Sequence, residues 1–328
     1  MPAAELIEIW RGGLREGVHR GHAVIHDGSD IVAAWGDPAA IIFPRSSCKM
    51  VQALPMLESG AADAAGLGPE QLALACASHS GAALHVDKVG GWLSGMGFGE
   101  SDLRCGCHAP WDRAENRRLI RAGGTADQLH NNCSGKHAGF LTWVRHAGAG
   151  PDYVDPDHPL QRAIRQATAE VSAEDVAGMG IDGCSAPNFA GSITGLARSM
   201  AAFANPDGSA RGRAMARLVD AMRAHPELVA GEGRACTELM RATGGRVAVK
   251  TGAEAVYIAI IPEKKLGVAV KIEDGGTRAS EAAITALLLH LGVLDAAHPV
   301  VGRLLGDPMK NWRGIEVGGL SLSPGFPV

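Results

Sequence analysis

Ser46 and Lys49, in the segment FPRSSCKMVQALPM (residues 43–56), stand three positions apart. If a helix begins near Ser46, that spacing puts both side chains on one face. A serine hydroxyl is a weak nucleophile until a base takes its proton. A lysine amine can be that base when burial or a nearby cation lowers its pKa. S-x-x-K is a short pattern, and Ser46 as a helix cap with Lys49 as a solvated first-turn residue satisfies it as well. Two more segments add weight. CASHSG (76–81) closes a helical run in polar residues, which places Ser78 and Ser80 in a loop, and VKTG (249–252) sets Lys250-Thr251-Gly252 in a strand.

The cysteines suggest a second chemistry. HNNCSGKHAGF (130–140) holds Cys133, Lys136 and His137, and GIDGCSAPNFA (180–190) holds Asp182 and Cys184. Thiolate and imidazole are natural zinc ligands, and spacing alone selects Cys133, His137 and Cys184, because a lysine must lose its proton before it can coordinate. Buried, inert cysteines in glycine-rich turns are the plain alternative. CGCHAPWD (105–112) is a rival cluster, too compact to complete a four-ligand site. Seven cysteines in 328 residues do not form a complete disulfide framework and read as reduced thiols of a cytoplasmic protein.

Strands are expected at both ends of the chain to position these groups, with helices between. VIHDGSDIVAAWGD carries a hairpin signal at Asp27-Gly28, and residues 246–276 show three β-rich runs. The alanine-rich middle gives helical candidates near 46–60, 69–76, 83–94, 113–122, 136–147, 159–171, 190–204 and 209–223, with another at 277–292. The tail SLSPGFPV reads as irregular. The expectation is one α/β (α+β) domain over 1–328, with a mixed, mainly antiparallel sheet from about 1–45 and 245–292, flanked by helices, and a helical region over about 46–245. Hydrophobic residues make up 46% and charged residues 20%, with a net charge of −4, which offers no electrostatic footprint for nucleic acid or anionic membrane. The N-terminal residues lack an export pattern, and no apolar run is long enough to span a bilayer.

In order and type, S-x-x-K, the serine loop and K-T-G resemble the serine β-lactamases and penicillin-binding proteins, with Ser78-His79-Ser80 standing where those have S-D-N. Taken together, FPRSSCKMVQALP, LACASHSG, CGCHAPW, NNCSGKHAGFL, DGCSAPNFA and VKTGAEAVY resemble the rhizobial-type (class 3) L-asparaginase family. That resemblance implies a β-lactamase/glutaminase-like fold, a homodimer, and hydrolysis of L-asparagine to L-aspartate and ammonia. It implies two Ser-Lys pairs, carried by Ser46 with Lys49 and by Ser78 with Lys250, and zinc held by Cys133, Lys136 and Cys184 in place of the spacing-derived His137. Ser47 and Cys48 fill the x positions. Arg45 and Asp182 are the candidate substrate-side residues. A guanidinium matches the α-carboxylate bidentately, and the aspartate can accept hydrogen bonds from ligated water or Lys136. A β-lactam or peptide acyl hydrolase, and a zinc- or amino-acid-binding protein without turnover, are the other readings open to these residues.

Overall fold

VYIAII (256–261) is an unbroken apolar run, and all six residues are buried in the strand Val256–Ile261. A strand covered on both faces needs no polar alternation. It lies between Ala248–Gly252 and Leu266–Ile272 in an antiparallel sheet. Beyond Leu266–Ile272 the order continues through Leu14–His26, Ala4–Arg11, Glu316–Leu322 and Met309–Lys310, with Ile31–Trp35 also paired to Leu14–His26. The computed structural model describes residues 1–327, which divide into two units, each of discontinuous chain. This sheet belongs to the first, made of Met1–Ser47, Ser192–Asn205 and the chain from Glu238 onward.

The Asp27-Gly28 hairpin forms as its chemistry requires. The Asp27 carboxylate accepts the N–H groups of Ser29 and Asp30, both at 2.8 Å, and these bonds pull its pKa down to about 2. Gly28 takes φ 102°, which a side chain resists. The helix Ile193–Ala204 packs on Leu266–Ile272 so tightly that a Cβ on Gly267 would sit 2.2 Å from the Ala197 carbonyl oxygen. The helix Thr277–His290 packs on Val256–Ile261, Leu266–Ile272 and Ala4–Arg11.

The second unit, Cys48–Gly191 with Pro206–Thr237, is mainly helical. Its centre is the helix Lys49–Glu58, buried from Lys49 through Leu57 and packed against Ser134–Ala147, Pro159–Ser172 and Ala210–Ala224. Pro55 sits inside this helix without ending it. An antiparallel pair, Gly178–Ile181 with Pro187–Ser192, frames the turn that carries Cys184.

The mixed α/β architecture with a sheet drawn from both ends of the chain is as expected. The structure differs at three places. A 3-10 turn, Arg45–Cys48, precedes the α-helix at Lys49. Pro187–Ser192 is strand, and helix begins at Ile193, where the Ser192 hydroxyl caps it by accepting the Gly195 N–H at 2.8 Å. Glu316–Leu322, expected to be partly irregular, is a sheet strand, because Ala4–Arg11 otherwise leaves an open edge.

Candidate functional site

In the first unit the K-T-G strand and the turn bearing Arg45 and Ser46 are brought together. Lys250 lies on Ala248–Gly252 with 1% exposure, and its amine donates to the Thr251 carbonyl at 2.6 Å. Gly252 ends that strand against the turn, where a Cβ would stand 2.7 Å from the Pro44 carbonyl oxygen. The glycine after Lys250-Thr251 is therefore a steric necessity. The turn itself is fixed by the Ser47 hydroxyl, which donates to the Pro44 carbonyl at 2.7 Å. Arg45 adopts φ 51°, a costly conformation for a residue with a side chain. Both Arg45 and Ser46 are half-buried.

In the second unit, Lys49 is 1% exposed and its amine donates to the Ser78 hydroxyl at 3.1 Å, to the Cys133 sulfur at 3.1 Å and to the Ala77 carbonyl. Spacing pairs Lys49 with Ser46; the serine bond its amine makes is to Ser78. Helix Lys49–Glu58 supplies the lysine at its first residue, and the end of helix Pro69–Ala75 delivers Ala77 and Ser78. Donating all three bonds, the amine is in its ammonium form; only the neutral amine can take a hydroxyl proton at this distance.

Cys133 caps the helix Ser134–Ala147, and the Asn131 side chain holds its N–H at 2.8 Å while tying back to the Cys105 and Gly106 carbonyls at 2.9 Å each. Lys136, one turn later and 3% exposed, donates to the Cys184 sulfur at 3.0 Å. Cys184 is presented by a turn in which the Ser185 N–H bonds the Asp182 carbonyl at 2.9 Å. A hydrogen bond from Cys133 holds the Cys184 thiol well below the ordinary thiol range, helped by the Lys136 charge against burial, and the same bond with burial pushes Cys133 well above it. Burial works to lower Lys136, but the two cysteine sulfurs, Cys184 first, outweigh it and raise the amine. Cys48, also buried, is pushed up to about 12 by burial and is an inert thiol.

His137 stands beside these groups. The Tyr153 hydroxyl oxygen accepts the Arg104 N–H at 2.8 Å and lies 2.9 Å from His137 Nδ1, the histidine tautomer setting which of the two donates. The same ring is also hydrogen-bonded to Cys184. Burial holds the His137 pKa down at about 4, against the hydrogen bond to Cys184, which raises it. Among the described residues no group of three or more His, Cys, Asp and Glu side chains is placed to hold a metal. Cys133, Cys184 and Lys136 do converge, and two sulfurs with an amine nitrogen fit a borderline-soft cation that displaces their protons. The rival CGCH segment packs on the Cys133 turn through the Cys105 and Gly106 carbonyls and the His108 ring. Cys107 is exposed, and the His108 ring accepts the Asn132 N–H at 3.1 Å.

The family model described as L-asparaginase II matches residues 7–322. The chain belongs to the L-asparaginase II family, and its activity is that of an asparaginase-type amidohydrolase. No curated protein matches in sequence. Solved structures give distant likenesses. A β-lactamase from Mycobacterium bovis is 13% identical, with 84% of this chain and 95% of that one covered and a TM-score of 0.47. Mglu in its native form is 13% identical, with 85% and 66% covered and a TM-score of 0.49. Among the described residues, no helix is long and apolar enough to cross a membrane.

Proposed function

We propose that this protein is a rhizobial-type (class 3) L-asparaginase that hydrolyses the side-chain amide of L-asparagine through a seryl acyl-enzyme, acting as a cytoplasmic homodimer with bound zinc. The observation that carries the reading is the buried 3.1 Å bond from the Lys49 amine to the Ser78 hydroxyl, beside Cys133, in a chain of this family.

The family resemblance assigns Ser46 with Lys49 and Ser78 with Lys250 as the two pairs, and the Lys49 amine reaches Ser78 besides. A serine oxygen adds to the amide carbonyl carbon as its proton passes to a neutral lysine amine. The lysine returns that proton to the departing nitrogen, the C–N bond breaks, and ammonia leaves. Water, deprotonated by the same amine, then opens the ester to give L-aspartate and the free serine. Arg45 matches the α-carboxylate of the substrate, and Asp182 accepts hydrogen bonds from ligated water or from Lys136. Cys133, Lys136 and Cys184 would hold zinc, which when bound supplies a fixed positive charge that orients the substrate.

Ammonia release from L-asparagine by the zinc-loaded protein tests the reading, with Ser46→Ala and Ser78→Ala as controls. Absence of ammonia, or acylation of Ser46 by a penicillin-like probe with turnover of that probe, would overturn it in favour of an acyl hydrolase of another class.

A further inference from the structure

We propose that His79 is a positioning residue that locks the Ser78 loop to the turn carrying Cys133, so that the serine is held at the Lys49 amine. The proposal rests on the assignment of Ser78 to the acyl-transfer groups.

The His79 side chain is fully buried, and its proton is fixed in place. The Gly81 N–H donates to Nδ1 at 3.2 Å, so the imidazole proton sits on Nε2 and is donated to the Ser134 hydroxyl oxygen at 2.9 Å. Ser134 passes its own proton to the Leu129 carbonyl at 2.9 Å. The chain thus runs in one direction, from the serine loop into the start of the helix that bears Lys136. The His79 main chain makes the same connection, its N–H donating to the Asn132 carbonyl at 3.2 Å. One residue therefore clamps both sides of Cys133 while standing next to Ser78.

The surroundings leave the ring and its loop no other place. His85 stacks on His79 with centroids 4.7 Å apart and planes within 7°. His85 is itself anchored by the Ala82 N–H at 3.2 Å and by donation to the Glu227 carbonyl at 2.9 Å. Beside His85, Gly231 approaches so closely that a Cβ there would lie 2.4 Å from the Ser80 hydroxyl oxygen. The Ser78 N–H is held by the Val229 carbonyl at 2.9 Å. In this frame the imidazole is the tie between the serine loop and the Cys133 turn, and a sub-ångström shift of Ser78 changes how its hydroxyl meets Lys49.

The test separates geometry from mere packing. Glutamine places a donor near the position of the histidine Nε2, whereas asparagine keeps only the acceptor toward Gly81. His79→Asn is expected to lower kcat for L-asparagine about thirtyfold with KM within about threefold, and His79→Gln to recover most of that loss. Ser134→Ala should reproduce the His79→Asn loss, and the double variant should be no slower than either single one. Wild-type kcat in folded His79→Asn, equal losses in the Asn and Gln variants, or additive losses in the double variant would each overturn the proposal. Ser78→Ala runs alongside: full turnover there shows that the assignment of Ser78 has failed, whereas an inactive Ser78→Ala with an active His79→Asn shows that only the role of His79 has failed.

Discussion

Gly252→Ala tests whether the K-T-G strand must approach the Ser46 turn as closely as it does. The new Cβ would lie 2.7 Å from the Pro44 carbonyl oxygen, 3.0 Å from the Ser47 nitrogen and 3.4 Å from the Arg45 Cβ. The first two contacts involve main-chain atoms, so no rotamer change relieves them. Easing 2.7 Å to an ordinary 3.4 Å contact moves strand and turn apart by about 0.7 Å. Overpacking of this kind costs about 1–3 kcal/mol of stability. A displacement approaching 1 Å between reacting groups costs on the order of 10–100-fold in rate. Steady-state ammonia release and a thermal melt measure both, and kcat should fall while Tm drops by only a few degrees. Wild-type kcat with an unchanged Tm would refute the claim that this contact sets the geometry of Lys250 and Ser46.

Ser46→Ala and Lys49→Met are each expected to lower turnover by about three orders of magnitude or more, with circular dichroism unchanged; near-native rates would remove these groups from the chemistry. Cys184→Ala should lower bound zinc well below one per chain and raise KM more than it lowers kcat, and stoichiometric zinc by elemental analysis would count against Cys184 as a ligand. His137 makes the metal-free protein sensitive to acid. Its folded pKa of about 4 lies below the ordinary 6.5, so the unfolded chain takes up the proton first as pH falls. Stability is therefore lost progressively from about pH 6.5 to about pH 4, by about 3 kcal/mol in all. Denaturant titrations across that range should show this slope, and His137→Gln should flatten it.

The periodic segments were legible because their packing is local in sequence. The helices Pro69–Ala75, Ala83–Gly95 and Arg113–Arg121 lie within a residue of their expected bounds, since apolar spacing and Gly or Pro punctuation mark them. Pro187–Ser192 was hidden because the apolar residues of NFAGSITGLARSMAAF suit the helix that follows, whereas pairing with Gly178–Ile181 makes its first part a strand. Glu316–Leu322 was hidden because its partner, Ala4–Arg11, is at the other end of the chain. The same division holds at the site. Ser46 and Lys49 announce each other by spacing, whereas spacing set His137 beside Cys133 and only the family resemblance selected Lys136. The Lys49 contact with Ser78 and the His79 bond to Ser134 join loops that no spacing relates. One signal was present and went unused: Tyr153, one of only two tyrosines, is wholly buried with its hydroxyl at His137, where a polar tip needs a partner.

The sheet order has a consequence for synthesis on the ribosome. Leu14–His26 is flanked in the finished sheet by Ala4–Arg11 and by Leu266–Ile272, and Ala4–Arg11 in turn by Glu316–Leu322. The N-terminal hairpin therefore emerges early and waits with unsatisfied edges while the whole helical unit is translated. The residues of that unit, Cys48–Gly191 and Pro206–Thr237, are all made before the strand Ala248–Gly252 appears, so they can collapse first. Closure of the sheet is left as a late event between distant parts of the polypeptide, slowed by the entropy of bringing them together. During that interval the exposed strands Ala4–Arg11 and Leu14–His26 are the surfaces a holding chaperone would cover, and slow translation through residues 48–237 would lengthen their exposure.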